Sequence, residues 1–403
     1  MEPNSKACKV HAHQPRLCVL TTTYPIGESD PCPPFVYELC QRLTAHFAVT
    51  VIAPAAVGAR TGAWHGVEVI RYRYAPARFQ TLASGGGILP NLRRAPWRLV
   101  WLPALILGQA WTLWRHRHRF DLIHAHWLIP QGLIAVALAG PVPVICTSHG
   151  ADVFALRGRL WDGLRRWVLQ RAAASTAVGL PLQKNLQALA PQCPVALLPM
   201  GIDMKRFHPQ SHARRVPGRL LFVGRLVPKK GLRLLMAALP LLGSEGRVRE
   251  LHVVGDGPER ADIEAMAALI AMPIHFHGAL PSAQLPDHYN AAALVVLPFC
   301  TAADGDEEGL GLTLIEALAC GCKVVSGVSQ AQAAIPETPG WWRCDAQAPE
   351  ILAAVISRAL AADLEPDVLQ AARAQMLEPF GWTHLASAYI GLLQGALVQR
   401  GSA

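Results

Sequence analysis

At 403 residues, with 52% hydrophobic and 16% charged side chains, the chain has apolar material for more than one core and is not a disordered or low-complexity protein. Ten cysteines without CxxC spacing argue against a disulfide framework. The net charge of +9 is uneven: residues 1–215 hold 24 Lys+Arg against 9 Asp+Glu and residues 216–403 hold 13 against 19, so the first half is drawn to phosphates or anionic lipid.

In chain order, residues 1 to 15 are polar and the apolar run Leu17 to Thr23 is too short for a signal peptide, which gives a cytoplasmic expectation. Strands are predicted at Arg16 to Thr22, Val49 to Ala53, Val67 to Tyr72, Asp121 to Ala125, Val142 to Thr147, Ala174 to Val178 and Val195 to Pro199, with helical patterns between most of them. Apolar on nearly every residue, they suit a parallel sheet covered on both faces. After a polar stretch near residues 207–217 the pattern restarts, with strands at Arg219 to Val223, Glu250 to Val254, Ile274 to Phe276, Leu294 to Leu297 and Lys323 to Val325. The expected division is 1–210, 211–378 and a terminal helix within 379–403 that follows Pro379-Phe380-Gly381 and packs back on the first unit.

The most informative segment is Glu308-Gly309-Leu310-Gly311-Leu312-Thr313-Leu314-Ile315-Glu316. Glu308 stands in a loop before a helix and Glu316 about two turns into it, at ~3.6 residues per turn. Gly309 and Gly311 permit close approach of backbone N–H groups to a ligand, and a helix start offers unpaired donors and partial positive charge to a diphosphate. The carboxylates are then free to accept sugar hydroxyls. Arg225 and Lys230, in a turn after a strand, are fixed cations suited to a leaving diphosphate. His149, in Ser148-His149-Gly150-Ala151-Asp152, falls at the carboxyl end of the first sheet, where open α/β folds bind ligands. Asp152 has two roles open to it, orienting His149 or capping the next helix. His126 ends another strand, but an HxH spacing alone does not make a metal site.

Together these segments resemble glycosyltransferase family 4. Glu308 to Glu316 is similar to the E-x7-E motif of that family, and Gly224-Arg225 to Lys230-Gly231 to its G-R-x-x-x-x-K-G element. Ser148 to Asp152 resembles H-G-x-D, and Pro199-Met200-Gly201-Ile202-Asp203 with Phe207 resembles P-x-G-x-D-x-x-x-F. The resemblance implies an α/β GT-B architecture, two Rossmann-like doubly wound domains facing a cleft, and a retaining, metal-independent transfer from a UDP- or GDP-sugar in polysaccharide or glycolipid assembly. It assigns reaction roles to His149, Glu308, Arg225 and Lys230. Donor contacts fall to Gly27, Gly224, Arg225, Lys230, Gly255, Gly278, Glu308, Gly309, Leu310, Gly311, Leu312 and Glu316, with Glu308 on the donor sugar and Glu316 on the ribose. Acceptor contacts fall to Tyr24, Gly27, His126 and His149. No cofactor, metal or nucleic acid is expected; the partners are the nucleotide sugar and a sugar or lipid-linked glycan. One departure is Ser326 to Glu337, where relatives carry Gly-Gly-x-x-Glu, which leaves the role of Glu337 open.

Other readings compete. Asp304-Gly305-Asp306 has the spacing of a metal-dependent D-x-D transferase. A dinucleotide oxidoreductase fits poorly, because Thr21 to Gly27 is not G-x-G-x-x-G. Leu99 to Trp114 is apolar and Trp-rich, and the wider segment 93–119 is flanked by Arg93, Arg94, Arg98, Arg115, Arg117 and Arg119. It reads either as a peripheral element on an anionic membrane, at the inner face of the cytoplasmic membrane, or as a buried helix. With about sixteen residues it is shorter than the ~20 that span a bilayer. A non-catalytic membrane-surface protein is the corresponding alternative function.

Overall fold

The computed structural model describes residues 14–401 apart from 29, 31–33, 85–86, 212–213, 243–246, 304, 310, 329–331 and 333–337. Asp304, Leu310 and Glu337 therefore lie outside the described residues.

The first sheet contains β1 (Arg16–Leu20), β2 (Ala48–Pro54), β3 (Gly62–Trp64), β4 (Val67–Tyr72), β5 (Leu122–His126), β6 (Val144–Ser148), β7 (Ala174–Ala177) and β8 (Val195–Leu197). Their order is β3-β4-β2-β1-β5-β6-β7-β8, parallel except for β3 against β4. The second sheet contains β9 (Arg219–Val223), β10 (Glu250–Val254), β11 (Ile274–Gly278), β12 (Leu294–Leu297), β13 (Val324–Gly327) and β14 (Trp341–Cys344), ordered β11-β10-β9-β12-β13-β14 and parallel throughout. The central strands β1, β5, β9 and β12 are buried almost end to end, as a sheet covered by helices on both faces requires. Sequence patterning did not anticipate β3, which has three residues, or β14, whose Trp341, Trp342 and Arg343 are half-buried rather than apolar and enclosed.

In both sheets the strand order reverses next to the first strand, between β1 and β5 and between β9 and β12. At such a point the loops leaving the two carboxyl ends diverge in opposite directions and open a crevice. The segments around Arg225–Lys230, His126 and His149 sit on these ends or on a neighbouring one.

The two halves are joined through the terminal helix Trp382–Gly401. Its Trp382, Leu385, Tyr389, Leu393 and Ala396 are part of the core around the first sheet. Ile202 bridges to Gly381, and the Ile202 N–H donates to Phe380 O at 2.9 Å. Glu38, on the helix Phe35–Leu43, lies at the centre: one carboxylate oxygen accepts from the Trp382 indole and the other from Arg206 at 2.8 Å. Arg206 also donates to Ser282 Oγ at 3.1 Å, which ties the crossing to the loop after β11. Gly201 is needed here, since a Cβ would stand 2.6 Å from the Trp382 ring.

Segment 93–119 is neither a fully buried helix nor a single element. A 3-10 turn, Pro96–Trp101, leads into the α-helix Leu102–His116, which buries Leu105, Gln109 and Leu113 and leaves Leu107, Trp111 and Trp114 exposed. No helix among the described residues is long and apolar enough to cross a membrane.

Glu38 is buried while Arg206 is about one-third exposed, so the pair is partly screened. Glu38→Ala, which leaves an indole N–H and a guanidinium without their acceptor, is expected to cost about 2 kcal/mol. Trp382→Phe, which loses only the indole hydrogen bond, is expected to cost about 1 kcal/mol. Denaturant melts check both; no loss of stability in Glu38→Ala would contradict the role given to this junction.

Candidate active site

On the second sheet, β9 runs into the turn 224–231 and β12 into the loop 298–311. Glycines let these backbones meet. A Cβ on Gly231, which has φ +68°, would lie 1.9 Å from Pro298 O, and one on Gly255, with φ +142°, would lie 1.9 Å from Gly224 O. Gly255 thus serves first to pack two strand-end turns together. Gly309 has open space around it, and Gly311, with φ +69°, is the N-cap of the helix Leu312–Ala319. The Gly311 N–H at that helix start faces the Glu308 carboxylate.

Lys230 Nζ lies 2.8 Å from Glu308 Oε2, with both side chains 13% exposed. The ammonium also sits 4.8 Å above the Phe299 ring, and its stem packs on Gly224. Burial works against ionisation of Glu308, but Lys230, Lys229 and the Gly311 N–H outweigh it and hold the carboxyl below its usual range. Beyond the contact with Lys230, Glu308 Oε2 has no hydrogen-bond partner among the described residues. Lys229 donates to Asp306 Oδ1 at 3.0 Å and to Glu307 O at 3.2 Å, and so fastens the loop to the turn. Arg225 is half-buried in the same turn as Lys230.

Glu316, about one turn into the helix rather than the expected two at ~3.6 residues per turn, accepts from Tyr289 Oη at 2.9 Å. Burial raises its pKa to about 7, opposed by Tyr289 and reinforced by Glu38, with Arg206 and Lys230 lowering it. Glu316 therefore shares a field with Lys230 and with the Glu38–Arg206 pair at the junction. Leu312 packs against the cores of both halves, so the helix start is placed at the boundary between them. Gly278, with φ +70°, ends β11, and its carbonyl accepts from the Gly255 N–H at 2.8 Å.

On the first sheet, three imidazoles cluster at the carboxyl ends of β5 and β6. His126 Nδ1 is 2.9 Å from His149 Nε2, and His124 Nε2 is 2.8 Å from Thr147 Oγ1. Phe35 and Trp127 flank His149, with ring centroids at 5.0 and 4.7 Å. His126 Nε2 is buried without a hydrogen-bond partner among the described residues. A Cβ placed on Gly27 would meet nothing within 4 Å, so the loop is open there.

Two expectations need correction. Asp152 neither orients His149 nor caps the following helix, whose N-cap is Gly150. Its carboxylate accepts from Leu128 N at 2.7 Å, Ser148 Oγ at 2.9 Å and Gly150 N at 3.1 Å, and so pins the loop after β5 to the turn after β6. Tyr24, expected to contact acceptor, is 4% exposed and packs edge-on to Tyr37 and Trp64 with Arg71 over its ring, which makes it a core residue. Sequence reasoning also missed Lys229, Tyr289, Glu38 and Arg206. Of these only Lys229 carried a signal, as the neighbour of Lys230. A cavity of about 800 Å³ beside the interdomain crossing, lined by Lys205, His208, Arg215, Gly321 and Arg373 among others, contains none of the candidate site residues.

Two open, mainly parallel sheets with charged and hydrogen-bonding groups at their switch points define a two-domain, doubly wound α/β architecture, and the known relatives give it a class. Residues 34–206 match the pattern described as Glycosyltransferase Family 4 and residues 217–362 that of Glycosyl transferases group 1. The 2-deoxystreptamine glucosyltransferase of Streptomyces kanamyceticus is 30% identical over 384 residues, covering 79% of this chain and 96% of that protein. The GDP-mannose-dependent alpha-(1-6)-phosphatidylinositol monomannoside mannosyltransferase of Mycolicibacterium smegmatis is 31% identical over 204 residues, 47% of this chain and 53% of that protein. The chain thus spans about half the length of that relative. Among solved structures, a sucrose-phosphate synthase from Thermosynechococcus elongatus superimposes with a TM-score of 0.74 at 19% identity, covering 96% of this chain and 100% of that one. Anabaena HepE in complex with UDP gives 0.70 at 15% identity, covering 94% and 100%. The chain belongs to the family 4, group 1 glycosyltransferases, and its fold is GT-B.

The histidine cluster makes stability depend on pH. Burial pushes His124 and His149 down to about 3 and His126 well below its ordinary value. An unfolded chain takes up protons at these groups near pH ~6.5. The unfolded state therefore binds more protons below about pH 6.5, and the stability present above it is lost as pH falls toward the folded values. Glu316, with its raised pKa, acts in the opposite direction as one group against three. The melting temperature is expected to fall between about pH 7.5 and 5.5, and to fall less in a His126→Asn/His149→Asn variant. A flat or rising profile in the parent chain would contradict a buried neutral cluster.

Proposed function

We propose that the chain transfers a sugar from a UDP- or GDP-sugar to an acceptor hydroxyl with retention of anomeric configuration, in polysaccharide or glycolipid assembly. The observation that carries this reading is the Lys230–Glu308 pair beside the start of the helix Leu312–Ala319, at the boundary of the two halves. A diphosphate seated there meets helix N–H groups, Lys230 and Arg225, all of which favour the departing charge. Lys230 then exchanges a carboxylate for phosphate, and Glu308 turns its unfilled acceptor capacity to a sugar hydroxyl. Glu316, held by Tyr289, accepts from the ribose. Gly224, Gly255, Gly278, Gly309, Gly311 and Leu312 supply backbone around the nucleotide, while His126, His149 and Gly27 line the acceptor side. Neutral His149 accepts or donates a hydrogen bond to the reacting sugar without adding charge. In this reading cations and helix dipole replace a divalent metal at the leaving group. Asp306 of the D-x-D spacing is engaged by Lys229, which favours this reading over a metal-dependent transfer.

The relatives named as phosphatidylinositol mannoside, amylovoran and teichuronic acid glycosyltransferases support a polysaccharide or lipid-linked acceptor. The exposed face formed by Trp97, Leu99, Val100, Leu107, Trp111 and Trp114 fits the interface of an anionic bilayer. Arg98 lies over Trp97 and Arg117 over Trp114, so basic groups ring the aromatic ones. The proposed work is then done at the cytoplasmic face of a membrane.

Lys230→Ala, Arg225→Ala and Glu308→Gln are each expected to lower kcat/KM by about 100-fold or more, with circular dichroism unchanged and parental activity insensitive to EDTA. Near-normal transfer by all three variants would remove the assignment. In liposome flotation, the parent is expected to float with anionic vesicles and a Trp111→Ser/Arg115→Glu/Arg117→Glu variant to stay behind; equal flotation would count against the membrane face.

A further inference from the structure

Four histidines meet on one face of the second sheet, away from the Lys230–Glu308 pair. β10 and β11 run parallel with His252 opposite His275. Alternation along each strand sends Leu251 and Val253 into the core and leaves Glu250, His252, His275 and His277 on the other side. The helix Leu285–Ala291 crosses that side and adds His288. The rings of His252 and His277 stack at 5.0 Å, and His277 meets His288 edge-on at 4.7 Å. Donor nitrogens of His252, His277 and His288 all lie within 4.8 Å of one another.

We propose that His252, His277 and His288 form a binding site for a divalent transition metal of the Zn2+ class. The geometry selects the ligand atoms. His252 Nδ1 faces His277 Nε2 at 2.9 Å. His252 Nε2 is buried, without a hydrogen bond among the described residues, and stands 3.4 Å from Glu250 Oε2. Glu250 is itself fixed by Arg219 at 2.6 Å, which keeps it ionised. A carboxylate facing Nε2 stabilises the tautomer that carries its proton there and leaves the Nδ1 lone pair directed at His277, the arrangement in which a carboxylate orients a metal-bound imidazole. Replacing the imidazole–imidazole hydrogen bond by two metal bonds of ~2.1 Å opens the nitrogen pair only to about 3.3 Å, which side-chain rotation supplies. Three imidazoles with room for water suit Zn2+, Co2+ or Ni2+ better than Mg2+ or Ca2+.

Such an ion fastens the edge strand β11 to the helix that carries Tyr289, the residue holding Glu316. It is a structural clamp behind the nucleotide side of the cleft, separate from the transfer chemistry and independent of the function proposed above.

The test is a titration of the untagged, EDTA-treated full chain with Co2+, read by visible absorption and displaced with Zn2+. One tightly bound Co2+ per chain with the strong bands of a low-coordinate ion is expected. His277→Ala and His288→Ala, checked for folding by circular dichroism, are expected to lose that spectrum and weaken binding by well over about tenfold, and Glu250→Gln by about tenfold. His275→Ala is expected to leave it unchanged. Absence of the bands in the parent, their persistence in both His277→Ala and His288→Ala, or their loss in His275→Ala would each overturn the assignment.

Discussion

The architecture depends on one electrostatic constraint: a lysine and a glutamate, largely withdrawn from water, are held 2.8 Å apart where β9 and β12 diverge. Burial works against the Glu308 carboxylate, and the Lys230 ammonium beside it holds it ionised. The glycine turns make this possible. Gly231 and Gly255 bring three strand ends closer than any side chain would permit, and the loop carrying Glu308 is pulled onto the turn carrying Lys230 by the Lys229–Asp306 pair. The Gly311 N–H faces the Glu308 carboxylate, and half-buried Arg225 lies in the same turn as Lys230.

The halves are coupled to it at a second buried carboxylate. Glu38 receives a donor from each side of the interdomain crossing, and its charge, with that of Arg206, is felt at Glu316. The first sheet's contribution is different in kind: burial lowers the pKa of His124, His126 and His149, and His126 and His149 are joined to each other at 2.9 Å.

Much of this was legible in the sequence, because parallel strands buried on both faces announce themselves as unbroken apolar runs and because glycine-flanked turns with charged residues are compact in sequence. Glu308, Glu316, Arg225 and Lys230 all lie within such short segments, and the fold places Lys230 against Glu308 and Glu316 in their shared field. What escaped depends on long-range contact. Glu38, Arg206 and Trp382 are remote from one another in the chain, and nothing local marks them. Tyr24 and Asp152 sit in segments that looked like ligand loops, yet their side chains turn inward, one to an aromatic core and the other to three donors. The strand β14 is too polar to read as an enclosed strand, and the histidines of β10, β11 and the helix beyond carry no metal-binding spacing because three separate elements bring them together.

The most direct measurement is the crystal structure of the chain soaked with a nucleoside diphosphate. The terminal phosphates are expected within hydrogen-bond distance of Lys230 Nζ and of the backbone N–H groups at Gly311 and Leu312, with the Lys230–Glu308 contact opened and Tyr289 still on Glu316. Diphosphate seated instead in the basic cavity beside Arg215 and Arg373, with Lys230 and Glu308 still paired, would contradict the role given to that pair.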